Sequence, residues 1–195
     1  PAIAERFVGK ARRLIVVQNF PLEQDIEALS PGSWESRDQA VTYLGGITAI
    51  RGAHEMVRAM ALVKGETPVK LLLGGTFSPE SLKADLAALP GWDRVEPLGY
   101  LDREGVRRTL SRSRVGWVLI HPEPRYQVAY PVKLFEYMAA GLPVVASDFP
   151  LWRRIVEEAG CGLLADPLDP ADIAEKTNWL LSHPAEAEAM GLRGR

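Results

Sequence analysis

Cysteine occurs once, at Cys161, in a chain of 195 residues. No intramolecular disulfide is therefore available, and a reducing, cytoplasmic setting is the economical expectation. No apolar run approaches the roughly 20 residues that a helix needs to cross a bilayer, and the start does not read as a signal peptide. The charges nearly cancel, 23 Lys and Arg against 25 Asp and Glu for a net charge of −2. That balance gives no broad basic field for nucleic acid or anionic membrane, so no nucleic-acid partner is expected, although Arg107, Arg108, Arg112 and Arg114 form a local basic cluster. No cluster of Asp or His appears with metal-ligand spacing, so no metal is expected. The Gly-x-Gly-x-x-Gly of dinucleotide binders and the lysine of a Walker loop are both missing.

What is present is an ordinary globular composition, 47% hydrophobic and 25% charged, and length enough for one substantial core. One domain is expected. The first residue is Pro1 rather than methionine, which reads as a processed or excised piece.

From residue 40 onward, short apolar runs alternate with helical periodicity. Residues 13–17 read as a strand that turns out through Gln18-Asn19-Phe20-Pro21, and 22–38 as a connector without periodicity. A strand at 41–44 is followed by a glycine turn at Gly45-Gly46-Ile47-Thr48 and a helix over 51–64 with Met56, Val57, Met60, Ala61 and Val63 as its apolar face. The next strand is 69–73, then the loop Gly74-Gly75-Thr76-Phe77, then a helix capped by Ser78 with Pro79 in its first turn. A short strand is expected at Arg94-Val95, an Asp102-capped helix through 113, and a fully apolar strand at 115–120. His121-Pro122-Glu123-Pro124 reads as a rigid loop. A helix at 151–159, a strand at 162–165, a helix at 169–182 and a helix from 184 onward complete the pattern. Cys161 lies between Gly160 and Gly162 at the start of a strand.

This alternation specifies an α/β fold, a doubly wound parallel sheet of Rossmann-like type with helices on both faces. Ligands of such sheets bind beyond the carboxyl ends of the strands. The loops 45–52, 74–77, 98–101 and 121–130 are placed there, each rich in Gly, Pro or aromatic residues.

The most informative stretch is 130–147, Tyr-Pro-Val-Lys-Leu-Phe-Glu-Tyr-Met-Ala-Ala-Gly-Leu-Pro-Val-Val-Ala-Ser. Pro131 suits the first turn of a helix, Leu134, Phe135, Met138 and Ala139 give it an apolar face, and Gly141 ends it before the buried run 142–146. Lys133 and Glu136 lie three apart on one face near the amino end, where anions are stabilised. Taken alone they fit a solvated surface pair more readily than a ligand site. Glycines after a strand, as at Gly45 and Gly46, are likewise more often simple turn residues, although they let backbone approach a phosphate, and Arg51 would add charge.

Residues 130–147, supported by 43–52, resemble the donor-nucleotide segment of retaining glycosyltransferases of the GT-B fold, family four. There the pattern is Pro, any residue, Lys, two residues, Glu-Tyr-Met-Ala, any residue, Gly, any residue, Pro-Val. The resemblance implies that the chain is the C-terminal half of a GT-B enzyme, and that Glu136 accepts hydrogen bonds from the ribose hydroxyls of a sugar nucleotide. A carboxylate suits a diol because it accepts from two hydroxyls at once. It further implies a strand and linker between domains at 1–38, a nucleotide-sugar domain at 39–182 and a truncated helix at 183–195.

Two departures stand out. The family form Gly-Arg, then Lys-Gly, holds the diphosphate with two cations; here Gly46 replaces the Arg and Arg51-Gly52 replaces Lys-Gly, so Lys133 is the candidate substitute. Counting back from Glu136, the first of the family's paired glutamates is Val128, so the donor sugar must meet other groups: backbone N–H groups of 129–132, or Glu123 or Arg125. The segment Leu98-Gly99-Tyr100-Leu101 matches the family's base-holding loop. The resemblance thus assigns catalysis to Arg51 and Lys133, and donor binding to Gly45, Gly46, Gly52, Gly75, Tyr100, Leu101, His121, Tyr130, Pro131, Val132 and Glu136. Read alone, Tyr100 is as well explained by packing, and His121 is better explained as a structural loop residue.

The implied reaction is retaining transfer of a sugar from a nucleoside diphosphate sugar of UDP or GDP type. No further cofactor is implied. Acceptor site and part of the catalytic apparatus would belong to an amino-terminal domain that this chain lacks, so the piece should bind donor and transfer little sugar alone. Membrane contact, peripheral at the inner membrane, would come only through that missing domain. A nucleotide-sugar epimerase of related fold and a non-catalytic binding module remain open, while a receiver-type domain is disfavoured because no acidic cluster ends the first strand.

Overall fold

Six short strands line up in parallel in the order β3-β2-β1-β4-β5-β6. They are β1 (Ala40–Leu44), β2 (Lys70–Gly74), β3 (Val95–Gly99), β4 (Val115–Val118), β5 (Val144–Ser147) and β6 (Gly162–Ala165). The computed structural model describes residues 8–10, 33–65 and 67–195. The strand expected at 13–17 and the connector up to residue 32 lie outside these described residues. β1 pairs with β2 from Ala40↔Lys70 to Leu44↔Gly74 and with β4 through Val41↔Val115. Strand order therefore reverses between β1 and β4, and a crevice opens beyond their carboxyl ends, the position where doubly wound sheets take ligands.

The helices are α1 (Ala53–Met60), α2 (Leu82–Ala87), α3 (Arg103–Arg112), α4 (Pro124–Gln127), α5 (Val132–Ala139), α6 (Pro150–Ala159), α7 (Pro170–Ser182) and α8 (Pro184–Gly194). One sheet face buries Val41, Tyr43, Leu71, Leu73 and Trp117 beneath Met56, Val57 and Met60 of α1, Leu86 of α2 and Ile173 and Leu180 of α7. The opposite face buries Leu44, Val118, Val144 and Ala146 under Leu110 of α3, Leu134 and Tyr137 of α5 and Trp152 and Val156 of α6. Strands enclosed on both faces explain why β1, β4 and β5 are apolar or small throughout rather than alternating. A buried polar link joins the sheet to α7, where Trp117 Nε1 donates to Thr177 Oγ1 at 2.9 Å. Cys161 is buried, and burial pushes its thiol up to about 11.

Several boundaries differ from the sequence expectation. The helix expected over 51–64 is shorter at both ends: Ala49–Arg51 is a 3-10 turn, Gly52 takes φ +72, and α1 runs only from Ala53 to Met60. The left-handed conformation that ends the 3-10 turn favours glycine and resets the chain direction. Ser78 does not cap a helix. Its N–H donates to the Ile47 carbonyl at 2.9 Å, continuing the β1–β2 pairing past the strand ends, and the helix begins only at Leu82. Pro131 stands at the N-cap of α5 rather than inside its first turn. The rigid loop expected at 121–124 leads into α4, and β3 runs to Gly99, well beyond Val95. Asp102 caps α3 as expected, accepting from the Gly105 N–H at 2.7 Å.

Candidate functional site

A cavity of about 450 Å³ lies in the crevice at the strand-order reversal. β1 contributes Tyr43, Leu44 and Gly45 to its wall; the end of β4 contributes Val118 to Ile120; Tyr126, Ala129 and Tyr130 close one side, and Pro131, Val132, Lys133 and Glu136 form the amino end of α5. Arg51 and Trp152 complete it. A larger cavity of about 1200 Å³, lined by Trp34, Lys64, Arg114 and Trp179, lies at the opposite end of the sheet. Parallel sheets bind ligands at the carboxyl ends of their strands, so the smaller cavity is the candidate site.

Two cations reach this cavity from separate segments. Lys133, from the first turn of α5, extends over the end of β1 and rests its ammonium 3.5 Å from the centre of the Tyr43 ring. Gly45 makes that path available, since a Cβ there would stand 3.2 Å from Lys133 Nζ. Arg51, from the 3-10 turn, points Nη1 at the Gly46 carbonyl oxygen at 3.4 Å. A Cβ at Gly46 would stand 2.9 Å from that nitrogen, so the glycine found where the family has arginine vacates room for the Arg51 guanidinium. Burial, joined by the neighbouring Arg51 charge, pushes the Lys133 amine down to about 7 against the pull of Glu136. A crevice that holds two like charges in a partly desolvated wall is suited to a multivalent anion.

The backbone contributes less than the glycine pattern suggested. The Gly45 N–H donates to Gly74 O at 2.9 Å, the Ile47 N–H to Thr76 O at 2.9 Å and the Gly75 N–H to Gly99 O at 2.7 Å. These bonds stitch the loops after β1, β2 and β3 together. Gly75 is a packing residue: a Cβ there would lie 1.9 Å from the Gly45 carbonyl oxygen. The start of α5, at Val132 and Lys133, lines the cavity and is where helix N–H groups lack intrahelical acceptors.

Of the residues singled out from sequence, Gly45, Arg51, Tyr130, Pro131, Val132, Lys133 and Glu136 converge on the cavity. Gly46 and Gly52 shape the Arg51 turn. His121 stands behind that turn: its N–H donates to Ile50 O at 2.8 Å, and its Nε2 lies 3.1 Å from Glu55 Oε2. It braces the Arg51 segment from outside the cavity lining. Leu101 packs on Gly74, while Tyr100 is 82% exposed at the tip of edge strand β3. Val128 ends α4 and is half exposed.

Three aromatic residues that line the cavity escaped sequence reading: Tyr43, Tyr126 and Trp152. Trp152 Nε1 donates to Ala129 O at 2.9 Å and fixes the segment that enters α5. Its only advance signal was position, directly after β5, whose short Asp148-Phe149 exit was not counted among the ligand loops. Among the described residues no group of three or more His, Cys, Asp or Glu is placed to hold a metal ion, and no helix is long and apolar enough to cross a membrane.

The description of the Glycosyl transferases group 1 family matches residues 38–183. D-rhamnosyltransferase WbpZ of Pseudomonas aeruginosa is 29% identical over 150 residues, 76% of this chain and 38% of that protein. Sucrose-phosphate synthase from Thermosynechococcus elongatus superposes with a TM-score of 0.71 at 26% identity, over 99% of this chain and 49% of its own. Anabaena HepE, solved in complex with UDP and glucose, shares the fold at 17% identity with a TM-score of 0.68, over 89% of this chain and 47% of its own. The chain thus spans half or less of the length of each of these proteins. With a family match that covers three quarters of the chain, including all six strands and the cavity segment, the chain belongs to the glycosyl transferases group 1 family.

Proposed function

We propose that this chain is the donor-binding half of a retaining glycosyltransferase that moves a sugar from a nucleoside diphosphate sugar to an acceptor. The carrying observation is the convergence of Arg51, Lys133 and Glu136, from two segments far apart in sequence, on one crevice at the strand-order reversal. Glu136 takes the ribose diol. Arg51 and Lys133 take the diphosphate, and they stabilise the charge that develops on it as the glycosidic bond breaks. The donor sugar lies toward Tyr126, Ala129 and Tyr130, where the wall is largely aromatic and backbone. UDP is the first nucleotide to test, because HepE was solved with it; GDP is the second. The acceptor is bound by a partner domain outside this chain, so donor binding and transfer are separable.

Calorimetric titration with UDP, GDP and ADP tests the reading. One of them binds, and Arg51→Ala and Lys133→Ala each weaken it about tenfold or more, the loss of one charge-assisted contact. The chain alone transfers little or no sugar, whereas a longer protein containing it does. Binding of none of the three, or brisk transfer by the chain alone, contradicts the proposal.

A further inference from the structure

Tyr43 is a fully buried residue of β1, yet its ring and its hydroxyl both serve the rim of the cavity. The ring lies under the Lys133 ammonium at 3.5 Å, and the hydroxyl donates to Gly46 O at 3.1 Å. Arg51 Nη1 reaches the same carbonyl oxygen at 3.4 Å. One side chain thereby touches the group that carries one cation and shares an acceptor with the other.

We infer that Tyr43 is the positioning residue of the diphosphate end, an aromatic platform that holds Lys133 over the cavity and fixes the Gly46 carbonyl on which Arg51 rests. The inference rests on the nucleotide-binding reading above. Lysine is a flexible four-carbon stem with a compact charge, and alone it would swing out to water. The face of an aromatic ring attracts an ammonium, and the attraction grows where water is excluded. Tyr43 supplies that face on a strand enclosed on both sides, the most rigid support the sheet offers. The Arg51 charge nearby works against an ammonium at this place, and the ring and Glu136 offset it. The hydroxyl adds a second role: with Gly46 lacking a side chain, its carbonyl is the fixed point of the turn, and Tyr43 and Arg51 hold it from two directions.

The test is titration of inorganic pyrophosphate and UDP against the wild type, Tyr43→Phe, Tyr43→Leu, Lys133→Ala and the double variant Tyr43→Leu/Lys133→Ala, with thermal melts confirming that each folds. Tyr43→Leu weakens pyrophosphate about tenfold, the size of a desolvated cation–π contact, and Tyr43→Phe, which keeps the platform, stays within about threefold. In the Lys133→Ala background, Tyr43→Leu adds no more than the roughly threefold that loss of the hydroxyl costs, because the platform has nothing to hold. Equal losses from Phe and Leu, or the same Leu effect in both backgrounds, overturn the inference. If Tyr43→Leu does not fold, the Lys133 Hε resonances of the wild type decide: a ring-current shift to high field supports the platform, and unperturbed shifts overturn it. UDP binding that depends on Glu136 while Tyr43 and Lys133 act additively sinks this inference alone. Failure of the wild type to bind pyrophosphate, UDP, GDP or ADP sinks the nucleotide reading with it.

Discussion

The hydroxyl of Tyr137 accepts the N–H of Leu44 at 2.8 Å. It ties α5, which carries Lys133 and Glu136, to the last residue of β1, whose next residue Gly45 gives Lys133 its path. The ring of Tyr137 fills the space over Gly116 of β4, where a Cβ would stand 2.4 Å from Cδ2. A buried tyrosine thus fixes the helix against the two strands that bound the crevice.

Removing that tie has a defined cost. Tyr137→Phe leaves a buried N–H without its acceptor and should destabilise the chain by about 1–3 kcal/mol. Gly116→Ala forces the ring away and should cost about 1–3 kcal/mol by overpacking. Urea denaturation measures both. In the surviving folded fraction, Gly116→Ala also weakens nucleotide binding, because it moves the helix that bears Lys133.

Lys133 links stability to pH. Its amine titrates near 7 in the folded chain and near 10.5 when unfolded. Between those values the unfolded state binds more protons, so stability rises with pH across that window. The cost of the buried charge is fully present below pH 7. Lys133→Met removes it, and the melting temperature at pH 6.5 should increase while nucleotide affinity falls about tenfold. A fall in melting temperature for this variant would show that the ammonium is better solvated than its surroundings indicate.

Ligand binding reverses that shift. A diphosphate beside Lys133 favours the ammonium and raises its pKa, so binding above pH 7 takes up a proton. Affinity for UDP should fall as pH climbs from 7 to 9, by up to about tenfold per pH unit while the bound amine stays charged. Calorimetry in buffers of different ionisation enthalpy reads the proton directly, and Lys133→Met abolishes the uptake. Working above pH 7 keeps the nucleotide's own phosphate out of the titration.

Much of this was legible in the chain because the strands are enclosed on both faces. Residues 115–118 and 144–147 appear as uninterrupted small or apolar runs, and Asp102 and Asp169 mark helix starts by their own side chains. Ser78-Pro79 misled because a cap signature is local, whereas the bond that decides its fate comes from Ile47, 31 positions away. Gly52 was visible as a glycine, but its left-handed φ, which separates the 3-10 turn Ala49–Arg51 from α1, was not legible from the local sequence. Lys133, Glu136 and Arg51 were legible as chemistry. Tyr43 and Tyr137 were not, since their contacts with Lys133 and Leu44 span about 90 residues and read locally as strand and helix core.

The central claim is that Glu136 reads the ribose while Lys133 and Arg51 hold the diphosphate. Its most direct test takes the nucleoside diphosphate that binds and compares it with the 2′,3′-dideoxy form, calorimetrically, on the wild type and Glu136→Ala. A carboxylate that accepts from both hydroxyls makes the wild type prefer the ribose form by about tenfold or more, and Glu136→Ala erases the preference while keeping the affinity for the dideoxy form. Equal affinity of the wild type for the two nucleotides, or a preference that survives in Glu136→Ala, would contradict the account.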